Sequence, residues 1–274
     1  MRVDRLRQRG EILLALRSWF ARHGYIEVHT PTIVPAAAME PHLEPVRLSP
    51  TEYLHTSPEL AMKRILAAGL GRIYQICPCF REEEVGIHHS REFTMVEWYR
   101  AGAGTAELMD EVVDLIGVAA QAIGVPAPQF ERRAVSLLLE IDQPADEWMF
   151  EWVDRVEPSL TRPTIVYDYP PWQAALSRLR EGRADRFEVY LSGIELANAF
   201  AEETSGTVLA NRLRDGNATR VASGRAPHPV DEDFLRAVDR MPRCAGIAVG
   251  LDRLVMALTG AASIAELQVG GPSN

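Results

Sequence analysis

At 274 residues, 47% hydrophobic and 24% charged, the chain can bury a sizeable core and fits one large domain over residues 1–274; extensive disorder is excluded. A net charge of −9 argues against a general nucleic-acid footprint, no apolar run is long enough to span a bilayer, and MRVDRLRQRG lacks the apolar stretch of a signal peptide, so the cytoplasm is the expected compartment. The three cysteines, Cys77, Cys79 and Cys244, supply neither a disulfide framework nor a four-ligand zinc set, and are read as buried thiols.

In chain order, Ile12, Leu16, Trp19 and Phe20 predict a helix over residues 4–23 that ends at Gly24. YIEVHTPTIVP is an extended segment broken by Pro31 and Pro35. A helix from Pro58 to Ala68 follows, with Ser57 as cap and Gly69 as stop. RIYQICPCFR is a strand, REFTMVEWYR its neighbour, and the acidic segment between them a loop. His88 and His89 sit in that loop, able to touch a phosphate but poorly placed to share a metal. Leu108, Val112, Val113 and Ile116 predict a helix over 105–123. Residues 125–185 are the least legible and are expected to mix short helices with loops, without a domain linker. Arg212, Arg214, Arg220 and Arg225 are read as a solvated helix face.

Three stretches carry chemistry. If Phe80–Glu83 and Phe93–Tyr99 are antiparallel strands, Phe93, Met95, Glu97 and Tyr99 share one face, and Thr94, Val96 and Trp98 the other. Glu97 on an interior face is costly unless that face lines a cleft for a cationic or metal-bound ligand, and Arg81 with Glu83 on the partner strand fits such a cleft. In FEVYLSGIELANAFAEE, Ser192-Gly193 is a two-residue hairpin turn. It sets Tyr190 opposite Glu195 and Glu188 opposite Ala197, so that Glu188 and Glu195 are diagonal neighbours roughly 7 Å apart. A Mg²⁺ carrying substrate phosphates would neutralise the pair; glycosidase-like acid/base work is the rival reading. For Glu202 to share their face, a bulge or bend is needed near Asn198-Ala199. In GIAVGLDRLVMALTG a strand ends at Gly250 and Arg253 falls in the first turn of a helix, where a cation makes more sense if it reaches a phosphate.

Taken together, the segment ending at Pro31, FREEE…EFTMVEWYR and GLDRL resemble the three signature motifs of class II aminoacyl-tRNA synthetases. YLHTSPELAMKRILAAGLGRIYQICPCFR, FEVYLSGIELANAF and APHPVDEDFLRAVDRMPRCAGIAVGLDRLVM are similar to the elongation factor P lysyltransferases, short lysyl-branch paralogues without an anticodon-binding domain. The resemblance covers most of residues 5–268 and thins across 125–162. It implies an α+β catalytic domain, an antiparallel sheet flanked by helices, that forms a homodimer through the Pro31 segment. It also implies ATP as substrate, with Arg81 and Arg253 catalytic and Arg81, Glu83, Ser90, Phe93, Glu195, Leu196, Gly250 and Arg253 around the nucleotide. Glu188 and Glu195 would bind Mg²⁺. Ser57, Glu59, Glu97, Tyr99, Glu202 and Ala248 would surround lysine or β-lysine.

The implied activity is adenylation of that amino acid and its transfer to a lysine side chain of elongation factor P. Alternatives are another acceptor (a tRNA, a carrier protein or a small molecule) and a non-catalytic regulatory role. Only about four residues precede the first predicted helix, which disfavours tRNA, as does Ala248 where lysyl-tRNA synthetases usually have Gly. Ser90, Ala199, Ala201 and Glu203-Thr204-Ser205 depart from the paralogues' usual Asn, Gly, His and Leu-Thr-Asp; the Ala199 change matters most if that residue needs a positive φ.

Overall fold

The structure is a computed structural model that describes residues 2–268. Helix α1 (Arg2–Arg22) buries Ile12, Leu16, Trp19 and Phe20, and the chain turns at Gly24 with φ +73°. The proline-broken stretch yields only the two-residue strands β1 (Ile26–Glu27) and β2 (Ile33–Val34), because proline cannot donate to a ladder. Strands β3 (Arg47–Ser49) and β4 (Glu52–Leu54) join β2 in a small sheet of order β2-β4-β3. Then come α2 (Glu59–Ala67), β5 (Arg72–Phe80), β6 (Glu92–Ala101) and α3 (Thr105–Ala122).

The stretch that was hardest to read contains two strands, β7 (Glu131–Ala134) and β8 (Thr164–Tyr169), as well as helices α4 (Ala145–Glu151) and α5 (Glu157–Ser159), which a π-helical stretch over residues 152–156 connects. The chain continues through β9 (Leu179–Arg180), β10 (Arg183–Leu191), β11 (Ile194–Ala201), α6 (Gly206–Ala222), α7 (Glu232–Val238), β12 (Cys244–Gly250) and α8 (Leu251–Thr259).

The large sheet runs β1-β5-β6-β12-β11-β10-β8-β7, with β9 on β10. Every pairing is antiparallel except the outermost ones, β1 with β5 and β7 with β8. One face carries α1, α3 and α8 over a core that includes Val96, Trp98, Val189, Ala199 and Ile247. On the other, α2, α6 and α7 pack over Ile73, Tyr99, Phe200 and Cys244. The period-2 reading of β6 therefore holds: Val96 and Trp98 point into the main core, and Met95, Glu97 and Tyr99 point to the opposite face.

Two register expectations need correction. Strand β5 ends at Phe80, so Glu83 lies in a turn and not on a strand beside Arg81. In the hairpin, Ser192 and Gly193 both take positive φ, as a tight turn of this type demands, and Tyr190 does face Glu195. Glu188, however, faces Asn198, because the register shifts between Val189 and Tyr190 and Leu196 is the extra residue. The bulge that Glu202 requires thus exists, two residues earlier than expected. Ala199 is fully buried and is not among the described residues with positive φ, so alanine is accommodated there without backbone strain.

Phe20 is the hub of the main core: its ring stacks on Tyr74 with centroids 4.0 Å apart and meets Trp98 and Tyr25 edge-on, each at 5.4 Å. Phe20→Ala is expected to cost about 3–5 kcal/mol in urea unfolding. A loss under about 1 kcal/mol would contradict this packing.

Candidate active site

Glu97 stands on β6 between Gln75 of β5 and Ala248 of β12 and is only 2% exposed. Tyr99 donates its hydroxyl to Oε1 at 2.6 Å and Ser57 donates to Oε2 at 2.7 Å. Burial and the charge of Glu59 nevertheless push its pKa up to about 8 against those two hydrogen bonds. Ser57 also accepts from the Glu59 backbone N–H at 3.0 Å while it holds Glu97, but the N-cap position of α2 is Pro58, one residue later than expected, and it has no side-chain cap.

One turn into α2, Lys63 is completely buried, with its ammonium 2.6 Å from Glu59 and 2.6 Å from Glu202. Burial opposes its charge, but the two carboxylates outweigh that and raise its pKa. Burial likewise raises Glu59, against Lys63, and carries Glu202 up to about 7. Glu59, Glu97 and Glu202, with Glu40 on the same cavity wall, outnumber the one ammonium of Lys63, so this pocket carries an excess of negative charge when fully ionised. Lys63 escaped the sequence reading, although its signal was there: a Glu–Lys pair at i,i+4, which on sequence alone reads as a surface pair.

The pocket is open because Gly246 has no side chain; a Cβ there would lie 2.3 Å from Tyr99 and 2.5 Å from Glu202. Ala248, Met95 and Phe200 also line the cavity, as do residues Ala37 to Glu40 of the loop after β2. That loop is clasped from α6. Arg220 donates to the carbonyls of Pro41 (2.8 Å) and Leu43 (3.0 Å) and pairs with Glu44 at 2.7 Å, while a His228 ring nitrogen lies 3.0 Å from the Glu40 carbonyl. The arginine cluster is accordingly not a solvated face. Arg220 is buried, Arg212 donates to the carbonyls of Ala175 and Ser177, and Arg225 reaches Glu83; only Arg214 is strongly exposed.

Arg81 lines the same cavity from the other end. Its guanidinium lies 5.1 Å from the Phe93 ring centroid and contacts Glu84 at 3.3 Å, while its Nε is buried without a hydrogen-bond partner. Arg253, in the first turn of α8, donates Nε to the His88 carbonyl (3.2 Å) and Nη1 to the Glu195 carbonyl (3.0 Å). It thereby ties the acidic loop to β11. Gly250 caps this helix next to the Arg253 side chain, and half-buried Ser90 meets Gln268 at 3.4 Å. Arg81, Arg253 and Glu188 all act electrostatically on Glu195, whose pKa is raised by burial and by the Glu188 charge.

Three residues differ from expectation. Glu83 is exposed and engaged by Arg225 at 2.8 Å. Leu196, the bulge residue, turns its side chain into the main core, so only its backbone is available to a nucleotide. Glu188 is already compensated, by an ion pair with Arg186 and by the hydroxyls of Tyr169 and Tyr190. Glu157, from the poorly legible stretch, joins the group: Tyr190 donates to it at 3.2 Å, and burial with the charges of Glu195 and Glu188 pushes it up to about 7. Glu195 and Glu157 are the under-compensated members, and a hard divalent cation suits such an oxygen set. His88 and His89 belong to no cluster of three metal-ligating side chains among the described residues.

An antiparallel sheet that brings Arg81 and Arg253 within electrostatic range of Glu195, next to Glu188, has the layout of a synthetase-type catalytic domain. Residues 2–269 match the family model of class II tRNA synthetases (D, K and N), and the chain belongs to that family. It is similar to the elongation factor P–(R)-β-lysine ligase of Vibrio vulnificus (strain YJ016), at 36% identity over 97% of this chain and 94% of that protein.

The raised carboxyls give a signed pH dependence. Below about pH 7 Glu97 and Glu202 are held neutral in the empty pocket, and a cationic amino acid must drive their ionisation. The KM for such a substrate is expected to fall as pH rises from 6 to 8.5. Glu97→Gln should remove the upper part of that fall; identical profiles for the variant and the parent would refute the assignment.

Proposed function

We propose that the chain is an ATP-dependent ligase that adenylates lysine or (R)-β-lysine and transfers it to a lysine side chain of elongation factor P. The observation that carries this reading is the buried pocket in which Glu59 and Glu202 pair with Lys63 and Glu97 has only hydroxyl partners, an excess of carboxylates over ammonium in the cavity that Arg81 also lines. A substrate with two ammonium groups and one carboxylate complements it: the ammoniums face the acids and the carboxylate faces the guanidinium. The name of the Vibrio vulnificus relative supports β-lysine and the protein acceptor.

In the first step a substrate carboxylate oxygen attacks the α-phosphorus of ATP, the α–β bridging P–O bond breaks, and pyrophosphate leaves. Arg81 and Arg253 stabilise the negative charge that builds on the phosphate oxygens, and Phe93 provides a face for the base. Mg²⁺ would be held chiefly by Glu195, with Glu188 behind it, and when bound it supplies charge neutralisation to the polyphosphate. In the second step the acceptor amine attacks the acyl carbon of the adenylate, loses a proton, and displaces AMP. Among the described residues no helix is long and apolar enough to cross a membrane. Exposed Leu14, Ile26, Ile33 and Leu48, all in the N-terminal fifth of the chain, support a homodimer through that region.

The deciding experiment incubates purified elongation factor P with enzyme, ATP and either α- or β-lysine and weighs the factor by mass spectrometry. A mass gain of one lysyl residue is expected, larger in yield with β-lysine, and Arg81→Ala should abolish both this and amino-acid-dependent pyrophosphate exchange. Exchange without modification of the factor would assign another acceptor. No exchange with either amino acid would overturn the reading.

A further inference from the structure

Beneath the nucleotide end of the cleft lies a cluster that the ligase chemistry does not use. Cys77 and Cys79 flank Pro78 on β5, so alternation turns both thiols to the same side, opposite Met95 and Phe93 of β6. His55, in the link between β4 and α2, folds over them. The imidazole and the two sulfurs present ligand atoms that all lie within 4.8 Å of one another, and all three residues are buried. They form the only such cluster of three metal-ligating side chains among the described residues.

The histidine is set up as a ligand. Its Nε2 lies 2.7 Å from the Pro78 carbonyl, which can only accept, so Nε2 carries the proton. Nδ1 is buried without a close hydrogen-bond partner, and the Cys77 sulfur is the side chain with which the imidazole interacts. A ring nitrogen bonded to a backbone carbonyl is the usual outer support of a metal-bound imidazole, because it fixes tautomer and ring orientation. The backbone of His55 is pinned as well: its N–H donates to the Thr32 carbonyl at 2.9 Å and its carbonyl accepts from Phe80 at 3.1 Å. Two sulfurs and one imidazole are a soft donor set, which selects a thiophilic cation over Mg²⁺ or Ca²⁺. Closing from 4.8 Å onto metal bonds of roughly 2.0–2.3 Å asks for side-chain shifts of about an ångström.

We propose that His55, Cys77 and Cys79 form a three-ligand site for a thiophilic d¹⁰ cation, Zn²⁺ or Cu⁺, separate from the Mg²⁺ of catalysis. Binding takes both sulfurs as thiolates, any proton they still carry passing to solvent, and clips the segment that leads into Ser57 onto β5, just before Arg81. Trigonal coordination satisfies Cu⁺; Zn²⁺ would add a water as its fourth ligand.

Reduced, chelator-stripped enzyme is titrated with Zn²⁺ and, without oxygen, with Cu⁺, each against a chromophoric competitor. One equivalent per chain is expected for at least one ion, and whichever binds names the cation. Cys77→Ser, Cys79→Ser and His55→Gln should each weaken binding at least about ten-fold. Cys244→Ser should leave it unchanged. If a variant fails to fold, X-ray absorption of the loaded parent enzyme decides: two sulfur neighbours and one nitrogen are expected. No uptake of either ion, a shell of oxygen and nitrogen alone, or uptake that persists in a folded Cys77→Ser/Cys79→Ser double variant would overturn the site.

Discussion

The site depends on charge buried without full compensation. Taking a carboxylate out of water costs several kcal/mol unless a partner repays it, and here Glu59 and Glu202 share one ammonium while Glu97 has only the hydroxyls of Ser57 and Tyr99. Burial and like charge answer by favouring the protonated forms of Glu97 and Glu202, pushed up to about 8 and about 7. Protons are a poor substitute for a well-placed cation, because a neutral carboxyl forfeits the charge-assisted hydrogen bonds that an ammonium would make. Four elements converge to make this arrangement: β6 presents Glu97, α2 places Glu59 and Lys63 one turn apart, the bulge in β11 turns Glu202 inward, and Gly246 on β12 leaves the room.

The phosphate end follows complementary logic. Its guanidiniums are held in the ligand-free site by carbonyls and by Glu84 and Glu195, contacts of 3.0–3.5 Å that position the groups without saturating them. The orphaned Nε of Arg81 is the clearest case of a donor kept without a partner. Orientation is supplied from farther out. Arg220 spends its donors on three carbonyls and on Glu44, which fixes the loop that roofs the amino-acid pocket while the phosphate end stays accessible.

How much of this was legible varied with the range of the interaction. Local patterns carried well: the split of β6 into a core face and a site face, the Ser192-Gly193 turn, and the start of α8 at Gly250 all follow from residues within a few positions of one another. Residues whose partners are distant in sequence did not. Glu83 looked like a strand residue beside Arg81 and instead meets Arg225; Leu196 looked like part of the nucleotide site and is drawn into the core by its bulge. Strands β7 and β8 went unread because they pair in parallel with each other across an intervening helical stretch, which leaves no hairpin signal.

By itself, then, the sequence determined the secondary elements with a clear local pattern, the sheet face that carries acids, and the types of residue available for binding a nucleotide and a cation, since these rest on backbone geometry and side-chain periodicity. Only the tertiary structure decided which charges share a pocket. It made Lys63 a buried counter-ion where the helix alone would show a surface pair, and it gave Glu188 to Arg186, leaving Glu195 under-compensated. It also gathered His55 onto two thiols more than twenty residues away. Coulomb energy and desolvation depend on distance through space and on exclusion of water, and neither quantity exists until the chain has folded.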